Sequence, residues 1–318
     1  MTKWTASDIP KQAGKTVVVT GANSGLGYEA TKALAARDAT VVMAVRNVEK
    51  GEEAVRKIRR ENPDADLDVR QCDLADLDSV RIFAEAFRED YDALHVLCNN
   101  AGVMALPRQE TADGFEMQFG VNHLGHFALT GHLLDTLRET PGEARVVTQS
   151  SGLHERGEMD FDDLQGEKHY DEWDAYAQSK LANVLFAYEL DRRLDDADIE
   201  NVLSVACHPG YAATNLQRRG PEQSGSTLRL IGMKVANAVM AQSAAKGALP
   251  MLYAATAYEV AGGEYYGPGG LMDMRGYPEK QHSSTRSYDQ EAAARLWDVS
   301  TELTGVTYGF AATQTGTR

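Results

Sequence analysis

Residues 15–20 read Lys-Thr-Val-Val-Val-Thr, a short β-branched run of the kind that forms a buried strand. They lead without a spacer into Gly21-Ala22-Asn23-Ser24-Gly25-Leu26-Gly27, after which Ala30, Ala33, Leu34 and Arg37 recur at helical spacing. A strand that runs into a glycine turn and then a helix is the context a dinucleotide fingerprint requires. Gly21 permits the tight turn, Gly25 lets backbone approach a pyrophosphate, and Gly27 lets the helix sit close on the strand. The helix start then offers free N–H groups and a positive dipole end to phosphate. The alternative is a glycine turn with no ligand.

Further apolar, β-branched runs at 39–45, 67–72, 94–98, 144–151 and 200–207 read as strands, with a short last strand at 263–266. Helical patterns occupy 48–61, 77–88, 113–137, 174–194, 244–257 and 289–303, and Gly267-Pro268-Gly269-Gly270 reads as a turn. Strands alternating with helices predict an α/β fold, a single-domain, doubly wound parallel sheet with helices on both faces. The expected strand order is 3-2-1-4-5-6 with a seventh strand at the edge, and ligand at the strand C-terminal ends. Neither a linker nor a repeat divides the chain. Residues 1–14 read as a short polar arm, 15–304 as the domain, 211–244 within it as a substrate lid, and 305–318 as a tail.

Composition bears on partners. There are 32 basic and 47 acidic side chains, net −15, which disfavours nucleic acid or an anionic membrane. Acid excess with 11 Lys against 21 Arg fits either adaptation to high salt or an ordinary acidic enzyme. No run is long and apolar enough to span a membrane, and the first residues lack a signal-peptide core. The expectation is a cytoplasmic protein without a membrane anchor. Cys72, Cys98 and Cys207 each end a predicted strand, far apart, and read as buried inert thiols.

Residues 39–45 end in Val45, where an acid would bond the ribose 2′-hydroxyl of NAD, and Arg46 follows. A guanidinium takes a phosphate bidentately, so the pair predicts NADP(H) in preference to NAD(H). The alternative for Arg46 is a solvated loop arginine. Tyr176 and Lys180, four apart on a predicted helix, share a face, and a cation beside a phenol draws its pKa toward working pH. Alone, such a pair is equally a surface contact. Ser150 and Ser151 end the 144–151 strand, where a hydroxyl can bond a substrate oxygen. Asn122 is a polar amide among Phe119, Val121, Leu124 and Phe127 and needs partners if buried. His123, His126 and His132 share its helix, but no Cys or carboxylate set completes a metal site, so packing or surface roles are expected.

The Gly21-x-x-x-Gly25-x-Gly27 spacing, Asn99-Asn100-Ala101-Gly102 and Tyr176-x-x-x-Lys180 together resemble the short-chain dehydrogenase/reductase family. The 25-residue gap from Ser151 to Tyr176, Phe161-Asp162-Asp163-Leu164 and Arg295-Leu296-Trp297-Asp298 resemble its retinol dehydrogenase-like branch, whose members are often membrane-anchored. The resemblance runs roughly from Thr16 to Thr304. It implies that Tyr176 gives or takes the hydroxyl proton and that Lys180 lowers its pKa and holds the nicotinamide ribose. It further implies that Ser151, with Ser150 as fallback, orients the substrate oxygen, and that Asn122 holds a water relaying protons to Lys180.

For the cofactor, the resemblance implies contacts from Gly21, Asn23, Ser24, Gly25, Leu26 and Gly27, from Asp73 and Leu74 at the adenine, and from Asn99, Ala101 and Gly102. The 208–214 loop adds Pro209, Gly210, Ala212 and Thr214. For Asp73 a helix N-cap is the competing role, with Asp76 an equal candidate. The implied activity is hydride transfer between NADP(H) and a carbonyl or alcohol. Carbon–carbon double-bond reduction and non-catalytic NADP(H) sensing are the alternatives. A Leu-, Met- and Ala-rich lid with Tyr211, Tyr265 and Tyr266 nearby predicts a small apolar substrate. Helices 113–137 and 174–194 are the family's usual pairing surfaces, so a homodimer or homotetramer is expected.

Overall fold

The computed structural model describes residues 3–210, 243–270 and 273–310. Eight strands form one sheet in the order β3-β2-β1-β4-β5-β6-β7-β8. These are β1 (Thr16–Thr20), β2 (Thr40–Val45), β3 (Leu67–Gln71), β4 (Val96–Asn99), β5 (Ala144–Gln149), β6 (Val202–Cys207), β7 (Tyr265–Pro268) and β8 (Pro278–Gln281). All pairings are parallel except β7 with β8. The expected order is thus met, with one antiparallel strand added at the edge.

The central strands read as unbroken apolar runs because both faces are covered. Helices α1 (Gly25–Ala35) and α2 (Val48–Glu61) cover one face with the helix Leu249–Thr256, through Ala30, Leu34, Ile58 and Met251. Helices α3 (Leu77–Asp90), α5 (Gly125–Glu139) and α6 (Glu172–Asp196) cover the other, through Phe83, Phe127, Leu133 and Phe186. Cys72, Cys98 and Cys207 are buried free thiols, as expected. Among the described residues no helix is long and apolar enough to cross a membrane.

Several expected boundaries move, each for a local reason. The helix expected at 113–137 starts with α4 (Met117–Phe119), capped by Glu116, which accepts from the N–H groups of Gln118 and Phe119. Gly114 takes φ +84°, which breaks any earlier turn, and Asp113 instead accepts from Leu77 N at the head of α3. A π-helical turn, Gly120–Leu124, then joins α4 to α5. The helix expected at 244–257 is two, Ala244–Gly247 and Leu249–Thr256, the second with Pro250 in its first turn.

Gly267 and Pro268, expected in a turn, are paired residues of β7. The N-terminal arm is docked: Ile9 is buried in the core and Trp4 packs edge-on against Tyr253. At the other end, Val306 and Tyr308, expected in a tail, are buried against α5, and the Tyr308 hydroxyl donates to Phe127 O. The C-terminal helix Gln290–Thr304 lays Trp297 on Phe186 of α6, with Arg193 above the indole. The α5 and α6 surfaces expected to pair with another copy therefore carry the chain's own C-terminal segment.

Candidate active site

The C-terminal ends of β1, β2, β4 and β5 open on one cleft. Its walls include Gly21, Asn23, Ser24, Gly25, Leu26, Arg46, Asp73, Leu74, Ala101, Gly102, Tyr176, Lys180 and Pro209. Thirteen residues singled out from sequence are thus gathered from six separate stretches. Gly21 (φ +65°) and Gly25 (φ +57°) take the left-handed conformation that favours glycine. A Cβ at 27 would stand 2.5 Å from Gly21 O and 2.6 Å from Asn100 Nδ2, so α1 can sit this close only as glycine.

Asn47, Asp76 and Asp171 cap α2, α3 and α6 with their side chains, whereas Ser24 does not cap α1. The first-turn N–H groups of α1 stay uncapped at the glycine turn, which suits a phosphate.

Thr20, at the end of β1, ties the two signature turns together. Its hydroxyl accepts from Asn100 N and Ala101 N, both at 2.9 Å. Its own proton then faces His126 Nε2 at 2.9 Å, closer than Cys98 O at 3.3 Å. His126 Nδ1 lies 3.0 Å from Asn122 O. A carbonyl only accepts, so the imidazole is neutral with its proton on Nδ1. Burial agrees, holding His126 down at about 4. Asn100 Nδ2 donates to Thr20 O, joining the β1 and β4 ends, while the Asn99 amide turns inward to Thr130 on α5.

Val45 is buried and Arg46 exposed on the cleft wall. Asn47 and Lys50 line the same wall, and neither was singled out from sequence. The signal for Lys50 was there: it lies four residues after Arg46, in the first turn of α2. Of the two candidate caps for α3, Asp76 does the capping, accepting from Ser79 N at 3.2 Å. Asp73 bonds Ala75 N within its own turn and lines the cleft.

At the other end of the cleft, Tyr176 and Lys180 lie one turn apart on α6, 5% and 3% exposed. Burial pushes the Tyr176 phenol up to about 12, and its hydrogen bond with Ser151 pulls the other way. The expectation that Lys180 draws this value down is not met. The Lys180 ammonium stands 5.8 Å from the Tyr176 ring centroid and donates to Gln149 O at 3.2 Å. Burial brings Lys180 itself down to about 8. Of the two serines, Ser150 lines the cleft and its Oγ donates to Lys180 O at 2.7 Å, while Ser151 Oγ accepts from Leu153 N at 3.3 Å.

Asn122 sits in the π turn, fully buried. Its Nδ2 donates to Val103 O and Ser179 Oγ, both at 2.9 Å, and its Oδ1 accepts from Val103 N at 2.8 Å. With both amide hydrogens committed and its carbonyl bonded to His126, Asn122 works as a tie between the Gly102–Val103 wall and α6.

Tyr265 and Tyr266 do not reach the cleft. Tyr265 lies buried against His154 and His208, and Tyr266 turns to the other face against Tyr253. Gly210 follows Pro209 with φ +63°. Tyr211, Ala212, Thr214 and most of the expected lid lie outside the described residues. His123 is buried on Ser300 of the C-terminal helix, a packing role. Among the described residues no three His, Cys, Asp or Glu side chains gather as metal ligands.

The family model for short chain dehydrogenase matches residues 15–225. Human retinol dehydrogenase 12 is 43% identical over 295 residues, covering 92% of this chain and 87% of that protein. Human polyprenol dehydrogenase is 39% identical over 304 residues, covering 94% and 87%. A crystal structure of an uncharacterized protein from Mycobacterium Paratuberculosis is 40% identical with a TM-score of 0.79, covering 96% of this chain and 99% of that one. The Pseudomonas aeruginosa RhlG/NADP active-site complex, at 21% identity and a TM-score of 0.61 over 80% of this chain and 94% of that one, shares the fold. The chain belongs to the short chain dehydrogenase family.

Proposed function

We propose that this protein transfers a hydride between NADP(H) and a carbonyl or alcohol carbon of a small apolar substrate. The observation that carries the reading is the Tyr176–Lys180 pair, one turn apart on α6, lining a cleft whose other end is the uncapped α1 turn. A bound nicotinamide cofactor supplies or accepts the hydride.

The protein's own groups do the rest. The Tyr176 hydroxyl on the cleft wall and the Ser151 hydroxyl just past the end of β5 are the two groups to hydrogen-bond a substrate oxygen. A phenol held near 12 by burial keeps its proton at neutral pH and is an acid toward an alkoxide-like oxygen. Lys180, near 8, supplies positive charge beneath the site and shares the proton's onward path. Asn122 holds the Gly102–Val103 wall in register with α6.

NADP(H) rather than NAD(H) is supported by Arg46 and Lys50 on one wall, two cations where a 2′-phosphate would lie. An apolar substrate is supported by Val103, Met117 and Val121 beside Tyr176, and by relatives named as retinol and polyprenol dehydrogenases. The test is a panel of apolar aldehydes, ketones and alcohols with each nicotinamide cofactor, run on wild type and Tyr176→Phe. The substitution is expected to remove nearly all turnover and to leave NADPH binding intact. Turnover equal to wild type in Tyr176→Phe sinks the proposal.

A further inference from the structure

The strand that sequence reading missed, β8, reaches the cleft through a chain of hydrogen bonds whose directions are forced. Gln281 Nε2 lies 3.1 Å from Pro268 O and 3.0 Å from Asp273 Oδ1, both acceptors only, so this end of the amide is the nitrogen. Its oxygen therefore faces His208 Nε2 at 2.8 Å, and His208 must carry its proton there. That leaves Nδ1 as an acceptor, and Gly210 N donates to it at 3.3 Å.

The bond to Gln281 crosses β7 at Gly267. A Cβ there would stand 1.9 Å from His208 Nε2 and 2.2 Å from Gln281 Oε1, so any side chain at 267 closes the gap. Tyr265 stacks on the imidazole at 5.4 Å and 5° between planes, fixing the ring plane.

We propose that His208 is a positioning residue: bonded to Gln281 through the gap at Gly267, it holds the Pro209–Gly210 turn against the cofactor cleft. The neutral ring is required, because a proton on Nδ1 would face Gly210 N–H. His208 is 4% exposed, and burial holds it down at about 4. The titratable groups around it are Asp273, which favours its charged form, and His154 with Tyr265 on the opposite side. The inference rests on the cleft being a nicotinamide-cofactor site.

The test compares His208→Phe, His208→Asn and Gln281→Met by Gly210 amide exchange and by NADPH affinity from fluorescence. His208→Phe keeps a stacked ring and loses both bonds. Gly210 exchange should accelerate and NADPH should bind about tenfold more weakly, the scale of one hydrogen bond. In His208→Asn the amide oxygen stands near the place of Nδ1, and most of both properties should return. In Gln281→Met only the Gly210 N–H still favours the Nε2 proton, and nitrogen NMR should find part of the His208 population shifted to the Nδ1 tautomer. Unchanged exchange and affinity in His208→Phe, or His208→Asn no better than Phe, overturns the inference. Wild type binding neither NADPH nor NADH would overturn the cofactor reading instead, and Gly210 exchange would still report on the bond.

Discussion

Thr20 and Thr148 offer a paired test of what holds the sheet ends beneath the cleft. Both are buried threonines in central strands, 1% and 0% exposed, and both have valine as an isostere that keeps strand preference and leaves no cavity. Their hydroxyls differ in employment. Thr20 Oγ1 serves Asn100 N, Ala101 N and His126 Nε2, whereas Thr148 Oγ1 has no partner among the described residues. Thr20→Val orphans Ala101 N and His126 Nε2 and leaves Asn100 N with Cys98 O alone, and each buried orphan costs about 1–3 kcal/mol. Asn100 and Ala101 are only half-buried, so the cleft can hydrate part of that loss. The expected cost is roughly 3 kcal/mol, inside the ~5–15 kcal/mol stability of ordinary domains, so the variant should still fold. Thr148→Val removes a hydroxyl whose burial is uncompensated and should be neutral or stabilising by about 1 kcal/mol. Urea unfolding with shared slopes reads both. Thr20→Val within about 1 kcal/mol of wild type, or the two variants costing the same, would refute the network described for Thr20.

Lys180 and Arg46 give two more. Lys180 titrates at about 8 when folded against 10.5 as its ordinary value. The unfolded chain thus binds more protons between those pH values, and stability due to this group rises with pH across that window. Lys180→Met should be more stable than wild type at pH 7, by up to about 3 kcal/mol, and the advantage should fade between pH 8 and 10.5. Thermal melts across pH check it, and an advantage that grows with pH contradicts the assigned cause. Arg46→Ala should weaken NADPH about tenfold and leave NADH unchanged, measured by fluorescence titration. Equal loss for both cofactors would mean the guanidinium does not meet a 2′-phosphate.

What the sequence displayed was the part of the fold in which local pattern and tertiary environment agree. The runs at β1, β2 and β5 are β-branched because they are buried on both faces, and the glycines of the α1 turn are where backbone and helix come closest. The Tyr176 and Lys180 pair was legible from spacing, whereas the preference for Ser151 over Ser150 came from the family resemblance. Pro278–Gln281 reads Pro-Glu-Lys-Gln, with no apolar alternation, and is a strand because β7 offers an edge and Gln281 bonds His208 across it. Asp113 looked like the head of its own helix but is spent on α3, a contact 36 residues away. Nothing local in Gly120–Leu124 announces a π turn, whose Asn122 carbonyl accepts from His126 Nδ1. The upward push on the Tyr176 phenol was also hidden, since it comes from burial.

The seat of Trp297 on α6 makes the protein its own optical probe. The chain has three tryptophans. Trp173, in the first turn of α6, is 42% exposed, while Trp297 is 6% exposed, stacked on Phe186 with Arg193 above it. Emission from a ring in that apolar seat lies to the blue of one in water. If the C-terminal helix peels from α6, a red shift should appear before the sheet itself opens. With Trp4 and Trp173 replaced by phenylalanine, one wavelength would follow whether the helix bearing Tyr176 and Lys180 is clasped, in the same cuvette and on the same sample that is being assayed for turnover.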